Sequence, residues 1–385
     1  MNSILLRFVR RPARTLRARS EFHFVTLVAG SLFGGALLVA CGSSAPSHQS
    51  TTSADGTGGG DGGVPSTSPG GAGGESPAST SCNAPAPVLR VSATALASHL
   101  VAAKEDLYFI DMPPMTTSTQ IRHVGGDGQD DGAIYASPEG STLLSVWAAA
   151  DTMYFVESTP QGEAALYRVP YAGGDKTKLS KDYSSGSAEI GGADANYVYV
   201  AVSQDGNYEL RRVAADGSGE TVIASLPGLA FRDMQIFGSD MWFLANDGLD
   251  GYYKVPLSGG AAPMQISPEP CQFEASVTSA GVYCSDALSL TRMPLTGGDY
   301  TKVMDLPDGG VDVSPPDGDF VYLTPKSTPD HPGVLRKFPV AGGTTKDLAC
   351  GRGTMTIPVF NDGGIYWLEA DATDSSKMNL YAAAK

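Results

Sequence analysis

Hydrophobic and polar residues alternate in short runs through most of the chain, and the runs recur at a regular interval. In each copy an aromatic residue follows an aliphatic residue, and a second alternating run follows after a polar stretch. Alternation with a period of two is typical of half-buried β-strands. The recurring aromatics lie 39 to 46 residues apart, at Tyr108, Tyr154, Tyr199, Trp242, Tyr283, Tyr322 and Tyr366.

The second run of each copy usually ends at a glycine pair. The clearest copy runs from Leu166 to Val169, continues through Pro170 and ends at Gly173-Gly174. Glycine pairs supply the positive φ angles of tight hairpin turns, and proline at a strand end removes a donor where pairing stops. The other pairs are Gly125-Gly126, Gly259-Gly260, Gly297-Gly298 and Gly342-Gly343, with Asp216-Gly217 in the third copy.

These features predict an all-β fold, a β-propeller of seven four-stranded blades, with six or eight blades as alternatives. A repeat of about 40–45 residues has the size of one blade. The last copy ends at Lys385, directly after its third strand. A spare strand, Val88 to Val91, precedes the first copy. We expect this strand to complete the seventh blade and so to remove an open sheet edge.

Residues 1–40 have the pattern of a secretory signal, with six arginines followed by a mainly apolar run from Phe24 to Ala40. The run ends Leu38-Val39-Ala40-Cys41, which resembles the lipobox of bacterial lipoproteins. The resemblance implies cleavage before Cys41 and lipidation of that residue. Because Gly42 follows, the rule for this class favours the outer membrane. We therefore expect an exported, membrane-anchored lipoprotein in the cell envelope.

Residues 41–85 are predicted to be a flexible tether, and residues 86–385 the propeller domain. Of the forty residues from 42 to 81, thirty are Gly, Ser, Thr or Pro. Such a segment buries too little apolar surface to offset the entropy lost on ordering. As a coil it would span roughly 35 Å and hold the propeller clear of the membrane.

The charge of the mature chain argues against two classes of partner. Without residues 1–40 the chain has 20 basic and 40 acidic residues, a net charge of −20. Nucleic acids and anionic lipid headgroups would both be repelled. The sequence therefore predicts no nucleic-acid binding, and membrane attachment only through lipidated Cys41.

Four further cysteines in an exported chain suggest two disulfides, which three pairings could form. We favour Cys271 with Cys284, both in the fifth repeat, and Cys82 with Cys350, near the closing strand. Simple hairpin register opposes the first pair. A turn near Gly281 would set Cys271 opposite a residue beyond Cys284.

Residue chemistry gives little reason to expect catalysis, a metal or a cofactor. The predicted propeller has three histidines, His99, His123 and His331, without the clustering that a transition-metal site needs. The sequence lacks a G-x-S-x-G elbow, a P-loop, a dinucleotide fingerprint and H-E-x-x-H. Two Asp-rich turns, 127–132 and 247–251, do not match a calcium loop and are interpreted as solvated turns.

Variable loops between the second and third strands of a blade are the default binding site. In a propeller these loops share one rim with the connections between blades, and binding residues concentrate on loops held by a rigid scaffold. Three such loops are 112–117, 326–330 and 370–374.

The repeat resembles the YWTD propellers of lipoprotein receptors and the related TolB-like and domain-of-unknown-function propellers of bacterial envelopes. The nearest copy to Tyr-Trp-Thr-Asp is Tyr366-Trp367-Leu368, so no functional residue transfers. The resemblance implies protein binding more than catalysis. We expect a monomeric binding or scaffold module for an envelope protein or polysaccharide. The alternative is a lyase or hydrolase that acts on glycans in the propeller channel.

Overall fold

A computed structural model describes residues 82, 84 and 87–385, apart from short segments. These segments are 93–96, 114–115, 185–187, 205–206, 228–229, 247–250, 269–270, 272–274, 287, 307–310, 326–332, 352–354, 372–373 and 375–376. The predicted signal segment, Cys41 and nearly all of the predicted tether lie outside the described residues. Within the described part, no helix is long and apolar enough to cross a bilayer.

The described chain contains 28 β-strands in seven antiparallel four-stranded sheets. The N-terminal strand is β1 (Val88–Ser92). Blade 1 comprises β2 (Ser98–Ala103), β3 (Asp106–Asp111), β4 (Gln120–Val124) and β5 (Asp130–Ala136). Blade 2 comprises β6 (Thr142–Ala149), β7 (Thr152–Ser158), β8 (Ala164–Pro170) and β9 (Thr177–Lys178). Blade 3 comprises β10 (Ala188–Ala193), β11 (Tyr197–Gln204), β12 (Asn207–Ala214) and β13 (Glu220–Pro227).

The remaining strands continue the same order. Blade 4 comprises β14 (Ala230–Phe237), β15 (Asp240–Asn246), β16 (Gly251–Pro256) and β17 (Met264–Ser267). Blade 5 comprises β18 (Ala275–Thr278), β19 (Gly281–Ser285), β20 (Ser289–Met293) and β21 (Thr301–Asp305). Blade 6 comprises β22 (Val311–Val313), β23 (Phe320–Pro325), β24 (Val334–Pro339) and β25 (Lys346–Cys350). Blade 7 comprises β26 (Val359–Asn361), β27 (Gly364–Ala370), β28 (Met378–Ala383) and β1.

The structure confirms the seven-bladed propeller and the predicted closure. Strand β1 is the outer strand of blade 7 and pairs antiparallel with β28, in a register that sets Leu89 opposite Tyr381. The first and last strands of the propeller therefore meet in one sheet, and β28 is not left as an open edge.

The core is divided among the interfaces between blades. The described residues form seven apolar clusters, one at each interface between blades. The repeated aromatics lie on the second strand of each blade and are at most 6% exposed. In blade 1, Leu107 and Phe109 pack towards blade 7, whereas Tyr108 and Ile110 pack towards blade 2. Both faces of the second strand are therefore buried, which explains its near-continuous apolar sequence.

The first glycine of a turn pair serves packing as well as turn geometry. Gly297 has a φ of 86°, and a Cβ there would lie 2.6 Å from the carbonyl oxygen of Ile266 in the preceding blade. Gly173 meets Ile134 of its preceding blade in the same way, at 3.1 Å. At Gly173, Gly259 and Gly297 the hairpin end therefore lies against the outer strand of the preceding blade.

Two disulfides occur in the described chain. Cys82 bonds to Cys350 with a Cα–Cα distance of 5.8 Å, and Cys271 bonds to Cys284 with one of 5.2 Å. In the β18–β19 ladder Cys284 lies opposite Ala275. Cys271 precedes β18, so it reaches Cys284 from the connection between blades. The simple register argument against this pair does not apply, because Cys271 is not part of the hairpin.

Candidate functional site

The innermost strands of the blades enclose one central channel. A cavity of about 570 Å³ occupies it, and every blade contributes to its wall. Its volume is within the range of small-molecule sites. The lining residues used below are His99 from blade 1, Trp147 from blade 2, Glu189 from blade 3, Asp233 from blade 4, and Pro358 and Phe360 from blade 7.

Irregular backbone places the polar groups of this wall. The inner strands of blades 1 to 4 each depart from regular pairing where they approach the cavity. His99 and Asp233 lie in two of these bulges with φ angles of 51° and 48°. Bulges redirect side chains and are frequent beside functional sites, and left-handed backbone at such residues is costly. The two bulges therefore set polar side chains into a wall that is otherwise mostly apolar.

Hydrogen bonds between blades fix the wall around the cavity. The Gln235 side chain bonds both backbone groups of Val277, with its amide nitrogen donating to the carbonyl oxygen and its amide oxygen accepting from the N–H, each at 2.8 Å. Between blades 2 and 3, the Ile190 N–H donates to Ser145 Oγ at 3.2 Å. Strands in neighbouring blades are thereby held at fixed spacing although they share no ladder, and the cavity is preorganised.

The charged groups of the described channel wall are acidic. The His99 side chain is solvent-exposed within the channel, yet desolvation by the surrounding blades lowers the pKa of its imidazole below the ordinary value, which favours the neutral ring at pH 7. Glu189 and Asp233 supply carboxylates, and the described lining residues include no lysine or arginine.

Acidic and apolar residues occupy opposite sides of the channel. Glu189 and Asp233 belong to the adjacent blades 3 and 4. In a ring of seven, the boundary between blades 3 and 4 faces blade 7. Blade 7 and the residues just before its inner strand contribute Ile357, Pro358 and Phe360. We call the first side the acidic wall (Glu189 and Asp233) and the second the apolar wall (Ile357, Pro358 and Phe360).

Comparison with solved structures places the fold among known propellers. The β-propeller domain of the Trilobed protease from Pyrococcus furiosus has a TM-score of 0.55 and 12% identity over 75% of this chain and 95% of that one. Oligogalacturonate lyase from Vibrio parahaemolyticus has a TM-score of 0.54 and 10% identity over 77% and 92%. This chain shares their propeller fold.

A third similar structure is longer than this chain. Puromycin hydrolase has a TM-score of 0.55 and 13% identity, and the match covers 71% of this chain but only 50% of the hydrolase. No known family profile and no curated protein sequence matches. At such identities the likeness establishes the fold alone, and the function has to be argued from the site.

The three predicted histidine positions have different surroundings. His99 lines the channel, as described. His123 stacks on Tyr108 with ring centroids 4.8 Å apart and contacts the carboxylates of Asp106 and Asp131 at 3.4 and 3.2 Å. His123 is therefore a packing residue of blade 1. It lies on β4, the third strand of the blade, and not on the inner strand. His331 lies outside the described residues.

The acidic turns and variable loops are only partly described. In the first turn Asp127 Oδ1 accepts from the Gln129 N–H at 2.9 Å, and Asp130 pairs with Arg122, so both carboxylates have protein partners. Most of the second turn, 247–250, lies outside the described residues. Among those that are described, no group of three or more His, Cys, Asp or Glu is arranged to hold a metal ion. The loops 112–117, 326–330 and 370–374 connect second to third strands, as expected, but 326–330 is not described.

Sequence reasoning missed the channel residues because the inner strands share no motif. Glu189 and Asp233 occupy strands with different sequences, AEIGGA and AFRDMQIF. One signal was available: in each repeat the inner strand is the run directly before the repeated aromatic. A polar residue within that run is therefore a candidate for the channel wall.

Proposed function

We propose that the protein is an exported lipoprotein, anchored through Cys41, whose propeller binds an envelope protein or polymer at the central channel. The cavity of about 570 Å³, to which all seven blades contribute, supports this proposal. Propellers carry ligands on rigid walls, and a preformed concave site with a few polar groups is the usual form of a binding pocket. The lipobox-like end of the apolar segment supports anchoring in the envelope.

Anchoring is tested by changing Cys41 to serine. We expect the wild-type protein to incorporate labelled fatty acid and to fractionate with membranes, whereas the Cys41→Ser protein loses both properties. Cross-linking in intact cells then compares the partners of the two forms. Recurrent partners of the anchored form that are lost from the Cys41→Ser form support an envelope adaptor. Unchanged membrane fractionation of the serine variant contradicts lipid anchoring.

Binding at the channel is tested by filling it. Ala148 lines the cavity, so Ala148→Phe reduces its volume. Ala262 is exposed between β16 and β17, so Ala262→Phe adds the same ring away from the channel. We expect the first variant to lose the cross-linked partner and the second to retain it. Equal retention by both variants, with unchanged thermal unfolding, would place the binding surface elsewhere.

A glycan lyase or hydrolase is the second candidate, because His99, Glu189 and Asp233 line a single cavity. A neutral imidazole can act as a general base, and paired carboxylates can act as acid and base on a glycosidic bond. Incubation with uronate-containing and cell-wall oligosaccharides, followed by product analysis, tests this function. Product formation that is unaffected by His99→Ala, Glu189→Gln and Asp233→Asn would exclude these residues from catalysis.

A further inference from the structure

We propose that the channel receives an uncharged apolar side chain from a protein segment and excludes sugars and charged groups. This inference rests on the proposed function, in which the channel is the binding site. It deepens that function by choosing a protein over a polysaccharide as the bound partner. The bonding of the polar groups around the channel carries it.

The inner strand of each blade has one edge without a neighbouring strand, and that edge faces the channel. In four blades a polar side chain of the preceding blade bonds to backbone groups at this edge. The backbone groups belong to Leu143, Ile190, Val277 and Val311, and the side chains are Thr119, Ser145, Gln235 and Ser285. A sugar, or a strand added to the edge, would find these groups already bonded.

The polar side chains of the channel wall also have partners within the protein. Of the 19 described lining residues, five are polar, namely His99, Glu189, Asp233, Gln235 and Thr356. The Thr356 hydroxyl accepts from the Leu368 N–H at 3.0 Å. His99 Nδ1 lies 3.0 Å from the Ser98 hydroxyl. The two carboxylates each interact with other groups of the protein. A ligand rich in hydrogen-bonding groups would therefore lose water and gain few new partners.

The surface that remains for a ligand is apolar. Ile357 and Phe360 of the apolar wall are only partly buried, as are Trp147 and Met234. Covering such surface is favourable in proportion to the area removed from water. A leucine, methionine or phenylalanine side chain covers it and adds no polar group that needs a partner. A polysaccharide carries hydroxyl groups along its whole length, so the same wall leaves many of them unbonded.

Trp147 provides the measurement. Of the three tryptophans, Trp242 and Trp367 are at most 2% exposed, whereas Trp147 lines the cavity. Tryptophan fluorescence and calorimetry follow the titration of the protein with N-acetyl-leucinamide and N-acetyl-asparaginamide, whose side chains have nearly the same shape. We expect the leucine compound to bind about tenfold tighter. N-acetyl-lysinamide, chitobiose and digalacturonate should bind more weakly than the leucine compound.

A matched pair of variants assigns the preference to the channel wall. Ile357→Ser replaces apolar surface in the channel, and Val222→Ser makes a similar change on β13, where Val222 is 43% exposed. We expect Ile357→Ser to weaken N-acetyl-leucinamide about threefold or more and Val222→Ser to leave its affinity unchanged. Thermal unfolding of both variants shows that the propeller remains folded under the conditions of the titration.

The outcomes separate this inference from the proposed function. Binding of chitobiose, digalacturonate or N-acetyl-lysinamide at least as tight as that of N-acetyl-leucinamide keeps the channel as a binding site but overturns the inference. Equal affinities of the wild type and Ile357→Ser for the leucine compound overturn it as well. If no compound binds, the inference is wrong, whereas loss of the cross-linked partner by Ala148→Phe still supports the proposed function.

One more comparison tests the source of the apolar group. Hexanol presents an aliphatic chain without the peptide groups of N-acetyl-leucinamide. Tighter binding of N-acetyl-leucinamide supports a side chain of a protein segment. Tighter binding of hexanol overturns that source and indicates a free apolar small molecule.

Discussion

At the scale of single residues, six blades place a basic side chain directly opposite the repeated aromatic. His123, Arg168 and Arg212 occupy this position on the third strands of blades 1 to 3. Lys254, Arg292 and Lys337 follow in blades 4 to 6, and Ala382 replaces the base in blade 7. Arg168 donates to the carbonyl oxygen of Ala215 in the next blade at 2.8 Å. His123 stacks on its opposite aromatic and Lys254 lies over its own, whereas Arg168 links neighbouring blades.

Gly297 tests the contact between a hairpin and its neighbouring blade. Gly297 and Gly132 both have a φ of 86°, but only Gly297 lies against another backbone, since nothing is within 4 Å of a Cβ at Gly132. Alanine at either position adopts left-handed backbone, which costs about 1–2 kcal/mol. We expect Gly297→Ala to lower the free energy of unfolding by at least twice as much as Gly132→Ala. If denaturant unfolding gives equal losses of unfolding free energy for the two variants, the Ile266 carbonyl moves to accommodate the added methyl group.

Glu157 is a buried carboxylate between blades 1 and 2. It accepts from the Tyr135 hydroxyl and pairs with Lys176, whose Nζ also lies 4.4 Å from the centroid of the Tyr167 ring. Burial, and then the hydrogen bond to Glu157, raise the pKa of Tyr135. Tyr135 therefore stays a donor to the carboxylate across the physiological range.

Removing one partner of the Glu157–Lys176 ion pair should destabilise the protein more than removing both. Glu157→Ala leaves the Lys176 ammonium poorly solvated, so we expect a loss of about 3 kcal/mol in the free energy of unfolding. Combining Glu157→Leu with Lys176→Met removes both charges and should recover a large part of that loss. Urea unfolding of the three proteins measures the difference, and a double variant as unstable as Glu157→Ala would contradict it.

At the scale of strands and blades, the sequence predicted most of the fold. The spacing of Tyr108, Tyr154 and their counterparts predicted the blades, because every second strand is buried on both faces and so repeats its apolar pattern. The last repeat supplies only three strands of its blade, and this predicted that β1 would be the fourth. The channel was not predictable in this way, because Glu189 and Asp233 reach it through irregular backbone that depends on neighbouring blades.

The Cys82–Cys350 bond should stabilise the propeller more than the Cys271–Cys284 bond. Their cysteines are 268 and 13 residues apart in sequence. Loop-closure entropy in the unfolded chain then predicts contributions of about 5–6 and about 3 kcal/mol. We expect Cys82→Ser with Cys350→Ser to lower the melting temperature more than Cys271→Ser with Cys284→Ser. The reverse order in calorimetric scans under oxidising conditions would show that local packing outweighs loop length.

At the scale of the whole molecule, aspartates recur at the hairpin turns of the blades. Each blade places aspartate in or directly beside the turn that joins its first and second strands or its third and fourth strands. Representatives are Asp106, Asp151, Asp194, Asp240, Asp299, Asp317 and Asp362. The short turns of all blades point to the same side of a propeller. Three of these carboxylates form ion pairs there, Asp151 with Lys104, Asp240 with Lys254 and Asp317 with Lys385.

Self-repulsion makes stability depend on salt. Residues 41–385 have a net charge of −20, and salt screens charges more than about 10 Å apart at 0.1 M ionic strength. We expect the melting temperature at pH 7 to rise between low salt and 0.3 M sodium chloride, and the rise to shrink near pH 5. A melting temperature that falls with salt at pH 7 would indicate that attractive ion pairs, such as Lys104 with Asp151, outweigh the repulsion.

The bond between Cys82 and Cys350 also determines how the molecule carries mechanical load. Everything N-terminal to Cys82 joins the propeller at the last residue of β25, in blade 6, before the chain reaches β1. A pull on that segment therefore passes through a covalent bond into blade 6. It does not peel β1 away from β28 one hydrogen bond at a time. The strand that closes the ring is thus shielded from tension. Force applied to the N-terminal segment does not have to separate β1 from β28.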